Sequence, residues 1–104
     1  MSVPDREEIF RAKVNLETAQ IAWKELQRFF ASGSAIQVST ELDLVEVAYQ
    51  MSEDNAEQIT EWMRAGKLHK VTDTQAETWF RTDAQVWAVV VSPYVLVQSP
   101  ETLH

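Results

Sequence analysis

The run VWAVVVSPYVLVQ at 86–98 constrains the fold more than any other stretch. It is rich in β-branched and aromatic residues, which suit the pleated, half-buried surface of a sheet. Ser92-Pro93 breaks it. A two-residue hairpin wants residues at ease with φ > 0, and Ser-Pro does not supply them. Either a bent strand or two strands with a wider turn satisfies the residues, and both stay open. Its apolar part, VWAVVV at 86–91, is far too short to span a bilayer.

The N-terminal third reads as a long helix, roughly Pro4 to Ala31. Ile9, Ala12, Leu16, Ala19, Trp23, Leu26 and Phe30 recur at spacings of three and four, which places them on one stripe. Asp5, Glu7 and Glu8 near the start and Lys24 and Arg28 near the end suit the helix dipole. Gly33 stops it, and Asn15 is its weakest point. The stripe is also that of a coiled-coil seam, but three heptads sit at the lower limit for one, so core packing is the preferred reading. Phe10, Val14 and Ile21 form a second apolar face, and one small domain seldom covers two stripes of a helix. These three residues are therefore expected to meet a second copy around a two-fold axis.

AIQV at 35–38 reads as a short strand. Thr40 with Asp43 offers a capping box for a helix over about 41–51 that turns Leu44, Val47, Ala48 and Met51 inward. A third helix, capped by Ser52 or Asp54, carries Ala56, Ile59, Trp62 and Met63 and ends at Gly66. LHKV at 68–71 is strand-like, with Leu68 and Val71 turned inward. Thr72 and Gln75 open a short helix bearing Ala76, Trp79 and Phe80. Residues 99–104, SPETLH, read as a frayed tail. The order of elements predicts an α+β, winged-helix-like fold: a long N-terminal helix, a helix-turn-helix pair, and a short antiparallel sheet with a helical insertion. With 104 residues, 45% of them hydrophobic, two glycines and no internal repeat, residues 1–104 read as one domain.

Four segments together resemble a known family: ETAQIAWKELQRFF at 17–30, LDLVEVAYQM at 42–51, WMRAGKLHKV at 62–71 and WAVVVSPYVLVQ at 87–98. They are similar to the short bacterial proteins grouped as domain of unknown function 2288, over about four fifths of the chain. The resemblance implies a small bacterial cytoplasmic protein and brings no activity, ligand or catalytic residue with it.

Chemistry is sparse. No cysteine is present, so thiolate metal sites, thiol nucleophiles and disulfides are excluded. With His69 and His104 as the two histidines, no familiar zinc site or catalytic triad can be built. His69 reads as a surface residue on the predicted strand. Gly-rich phosphate loops and the GxSxG elbow are missing too. Glu53, Glu57 and Glu61 fall on one helical line, and Asp43 and Glu46 are three apart, which could hold a hard cation or an acid/base pair. A solvated acidic face is the commoner meaning of such spacing. No catalytic, cofactor or metal residue is assigned, and an enzyme is the least supported class. The start, MSVPDREEIF, lacks the features of a secretory signal, so a cytoplasmic protein without membrane contact is expected.

The helix-turn-helix invites a nucleic-acid reading, and charge opposes it. The net charge is −7. Residues 41–65 hold seven acids against Arg64 alone, which makes −6, while residues 1–40 are neutral. Phosphate binding needs the opposite sign. Four tryptophans exceed what so small a core requires, and surplus aromatics, with Tyr49 and Tyr94 as candidates, mark interfaces. The expected function is a protein-interaction or self-assembly module. A nucleic-acid-associated transcriptional regulator is the alternative, and a small enzyme or metal-binding protein using helix carboxylates the third. The partner is accordingly a protein or a second copy, with Phe10, Val14, Ile21, Tyr49 and Tyr94 as interface residues. Mixed duplex DNA should bind no more tightly than the weak non-specific range of about 10⁻⁴ M at physiological salt. A tight, salt-sensitive complex in a fluorescence titration overturns that expectation and points first to Lys67 and Lys70.

Overall fold

The computed structural model describes residues 5–100, and the side chains of residues 14–16 lie outside the described set. The architecture is α+β. Five strands form a mixed sheet in the order β1-β4-β5-β2-β3. They are β1 (Ala19–Ala22), β2 (Ala35–Val38), β3 (Leu68–Lys70), β4 (Gln85–Val91) and β5 (Tyr94–Gln98). The helices are α1 (Arg6–Glu17), α2 (Gln27–Ala31), α3 (Leu44–Ser52), α4 (Ala56–Arg64) and α5 (Asp73–Arg81), with a 3₁₀ turn at Trp23–Leu26.

Alternation along the strands sorts apolar side chains onto two faces. Val86, Val95, Val97 and Ala35 join Trp23, Leu26, Val71, Ala76 and Trp79 in one core, beneath the 3₁₀ turn, α2 and α5. Val89, Leu96, Val38 and Leu68 join Leu44, Val47 and Ala48 in the other, beneath α3 and α4. Trp62 and Trp87 are only partly buried and flank this second core.

Two expectations fail at the ends of the chain. The long helix from Pro4 to Ala31 does not exist. α1 stops at Glu17, and β1, the 3₁₀ turn and α2 follow. The stripe was compatible with a helix, but Ile21 and Trp23 also stand two apart, and β1 uses that period by pairing antiparallel with β4, Ile21 opposite Val86. Phe10, Val14 and Ile21 consequently share no helix face. The sheet is larger than the expected short antiparallel one, and mixed, because β2 runs parallel to β5. The run 86–98 is two strands. β4 and β5 pair antiparallel with Val91 opposite Tyr94, and the Ser92-Pro93 peptide between them is cis. A cis proline at the third position of a turn reverses the chain without any positive φ. Residues 1–4 and 101–104 lie outside the described residues, and most of the expected frayed tail with them.

Helix ends share one device. α2, α3, α4 and α5 are each followed by a residue at positive φ: Gly33 (76°), Asp54 (60°), Gly66 (76°) and Asp83 (54°). In each turn the next amide donates to a carbonyl five residues back, as Lys67 does to Trp62 at 2.9 Å and Ala84 to Trp79 at 2.9 Å. This closes the orphan carbonyls of the helix end. The starts differ from expectation by a few residues. Asp43, not Thr40, caps α3, accepting from Val45 N–H at 2.9 Å, and Asn55, not Ser52 or Asp54, caps α4 through Gln58 N–H at 3.3 Å. Thr72 caps α5 as expected, through Gln75 N–H at 3.1 Å.

Trp23 is wholly buried, with its ring centroid 5.1 Å from that of Trp79 and 5.8 Å from that of Phe30. Among the described residues its indole N–H has no hydrogen-bond partner. Trp23→Ala should therefore cost about 3–5 kcal/mol in urea denaturation. Trp23→Phe should cost distinctly less than its lost volume suggests, because the unpaired donor leaves with the ring.

Candidate functional site

Of the five residues expected at an interface, Phe10 and Tyr49 meet, and the others lie apart from them. Phe10 on α1 is half-buried and packs against Tyr49 of α3, ring centroids 5.6 Å apart. Arg11 also lies over that ring, 4.8 Å from its centroid. Phe10 and Tyr49 thus hold α1 to α3 within the chain. Val14 sits on α1, with its side chain outside the described residues. Ile21 lies on β1, partly buried against the Trp23 core. Tyr94 begins β5, where it is 39% exposed.

Polar groups along the α1–α3 seam form a chain. Asn55 Nδ2 donates to Gln50 Oε1 at 2.7 Å, and Gln50 Nε2 donates to Glu46 Oε2 at 2.7 Å. Arg11 reaches Glu46 through one guanidinium nitrogen and Glu7 at 2.8 Å through another. Arg6 approaches Glu53 at 3.3 Å. Donation from Gln50 and Arg11 holds the Glu46 carboxyl below its ordinary value against the opposing pull of burial. The Tyr49 phenol is raised, first by burial and then by Glu7 and Glu53. Two acids of the 41–65 excess are therefore answered by α1 bases. Glu53 belongs to the end of α3 and not to α4, so the expected line of three carboxylates on one helix reduces to Glu57 and Glu61. Among the described residues no group of three or more metal-ligating side chains comes together.

An apolar concavity joins residues from five elements. Ile36 of β2 and Leu68 of β3 face α3 and α4, where Met51, Ile59 and Met63 meet them, and Tyr94 closes the end beside His69 and Lys70. Its volume is about 250 Å³. Leu68 forms the floor at 3% exposed, and Met63 stands at the rim at 57% exposed. Cofactor and drug-sized ligand pockets run to about 300–1,000 Å³, so this groove suits one or two inserted side chains better than a small molecule. Met63 lies one turn beyond Ile59 on the helix face that the sequence assigned to the core. It is left uncovered because β3, the strand below it, is three residues long and ends the sheet. Helical spacing announces an apolar face without saying where the sheet beneath it stops. A more open depression of about 380 Å³ lies between α2 and α5, with Phe30, Phe80 and the buried Ala76 beside Asp73 and Glu77, so two carboxylates share its lining. His69 is exposed, as expected, with Nδ1 2.8 Å from the Lys70 carbonyl.

The structure is thus an α+β sheet covered by helices on both faces, with an apolar groove at one margin. The chain belongs to the family described as "Protein of unknown function (DUF2288)", whose model matches residues 9–99. It is similar to the protein in the NMR solution structure of PA1075 from Pseudomonas aeruginosa, with 40% identity over 100% of this chain and 99% of that one, and a TM-score of 0.79. No curated protein matches it. Among the described residues no helix is long and apolar enough to cross a membrane.

Glu46 generates a pH dependence with a defined sign. Its folded-state pKa is lowered, so its stabilising contribution is complete above the ordinary Glu value of about 4.3 and is lost as pH falls through the folded value. Urea denaturation between about pH 7 and pH 3 should show wild-type stability falling at the acid end, and Glu46→Gln should flatten that fall. An unchanged acid slope in the variant removes the assignment.

Proposed function

We propose that this protein is a cytoplasmic interaction module of one domain, holding an apolar anchor of a partner protein in the groove between β3 and α4. The observation that carries this reading is the exposure of Met63 (57%) and Tyr94 (39%) over a preformed floor of Ile36, Ile59 and Leu68. Large apolar side chains scattered singly on a surface need no explanation, whereas clustered ones around a concavity mark contact sites. An inserted Leu or Phe would gain about 1.5–3 kcal/mol by leaving water. From β2 to β3 the order strand, helix, helix, strand supports a winged-helix-like description of that segment, but the outer face of α4 presents Glu57 and Glu61, which weighs against a nucleic-acid reader.

The test is affinity capture from the native cell with wild type and Met63→Glu side by side. Met63 is exposed, so the substitution should change stability by no more than about 0.5 kcal/mol. A defined protein retained by the wild type and lost from Met63→Glu is the expected outcome. Identical protein sets from both, or recovery of nucleic acid alone, overturns the proposal.

A further inference from the structure

The two edges of the sheet are finished differently. β3 is three residues long and carries His69 and Lys70, and a short strand with a lysine is a common way to stop an edge from recruiting another strand. β1, at the opposite edge, reads AQIA. From Thr18 to Trp23 it contains no charge, proline or glycine. Ala19 and Gln20 are exposed, and Ile21 and Ala22 are half-buried.

Backbone geometry says which groups face outward. Trp23 N–H donates to the Ala84 carbonyl at 2.9 Å, continuing the register in which Ala22 faces Gln85 and Ile21 faces Val86. Antiparallel pairs alternate between residues that exchange hydrogen bonds and residues that do not. Ala19 and Ile21 therefore turn their amides and carbonyls toward β4, and Gln20 and Ala22 turn theirs out, beyond the sheet.

We infer that β1 pairs antiparallel with β1 of a second copy around a two-fold axis, joining two sheets into one. Only an even register brings outward groups opposite each other. The register that engages both Gln20 and Ala22 places Gln20 opposite Ala22 of the second copy and Ile21 opposite its own counterpart. Ile21 then forms a non-hydrogen-bonded pair, the type with the closest side-chain approach, on the same face as the Trp23 core. A two-fold interface requires one self-complementary patch, and an uncharged strand meeting itself antiparallel meets that requirement without repulsion at any paired position. The inference is independent of the groove, which lies at the other margin of the sheet.

Four measurements test it on the full chain. Light scattering at about 100 μM, far above the concentration at which a micromolar complex is saturated, should report a dimer. A monomer mass there overturns the inference. Gln20→Pro removes an amide that points to solvent, a position where an edge strand tolerates proline. It should leave the urea midpoint close to wild type and abolish the dimer, and a dimer that survives a folded Gln20→Pro overturns the edge. The chain has no cysteine, so Ile21→Cys under mild oxidation should cross-link two copies within disulfide reach, while Gln20→Cys, which faces Ala22 of the second copy, should not. Efficient cross-linking through Gln20→Cys alone overturns the register. Met63→Glu should leave the dimer intact, and its dissociation by that substitution would transfer self-association to the groove and overturn the edge.

Discussion

Strand β5 is paired on both sides, antiparallel to β4 and parallel to β2, and its central residues Val95, Leu96 and Val97 are essentially inaccessible to water. A strand covered above, below and along both edges cannot alternate apolar with polar residues, so it must be continuously apolar. Leu96 feeds one core while Val95 and Val97 feed the other. The two helical layers are thereby tied through one strand, and loss of packing on either face is felt by the opposite one. At the C-terminal end of β5, Gln98 turns its amide back to the carbonyls of Ser39 at 2.9 Å and Leu42 at 2.8 Å. These bonds satisfy the loop that launches α3 and set the helix over the Leu96 face.

Position in the sheet then decides what each flanking element can expose. β4 and β2 neighbour the centre and carry buried residues on both faces, whereas β1 and β3 lie at the margins, where the helical cover runs out. α1 reaches α3 through Phe10, Tyr49 and the Arg11 ion pairs, a polar and aromatic seam rather than a deep core. Exposed ion pairs contribute about 0–1 kcal/mol each, so the aromatic contact supplies most of the apolar burial there. α4 extends past β3 by the turn that bears Met63. The groove is a consequence of that overhang: a nine-residue helix laid over a three-residue strand leaves part of its apolar face without a floor.

Local chemistry was legible where it is self-contained. Thr72 with Gln75, Gly66 after an apolar helix face, and AIQV before a polar break each specify their structure from a few residues, and each is found at or near the expected place. The reading fails where a partner distant in sequence decides. Residues 19–22 offer both a helical and a strand period, and only pairing with 85–88, more than sixty positions later, selects the strand. Asp54 and Asp83 adopt a backbone that glycine usually supplies, and aspartate announces it weakly. The Ser92-Pro93 peptide is cis, which composition does not reveal. Tyr94 was singled out from sequence and lies at the groove, but Met51, Ile59 and Met63 were assigned to a closed core. Their spacing is the same in either case, and the missing information was the length of the strand beneath them.

The sheet's order has one more consequence. The groove sits beside β3 and the uncharged edge is β1, the two ends of β1-β4-β5-β2-β3. Strands stand about 4.8 Å apart, so four steps separate the margins by roughly 19 Å within one chain. Pairing through β1 would bury the inner margins of two copies and carry their grooves to the outer ends of a continuous sheet. Neither groove would obstruct the other, and both would be open to the same partner assembly. A partner that offers two apolar anchors across that span would gain the second contact at the effective concentration set by the first, which can raise avidity by about 10²–10⁴ without any new residue. A partner with a single anchor would gain nothing. The advantage of joining β1 to β1 is therefore greatest for targets that are themselves repeated or two-fold, because only their spacing can match two grooves held rigidly by one sheet.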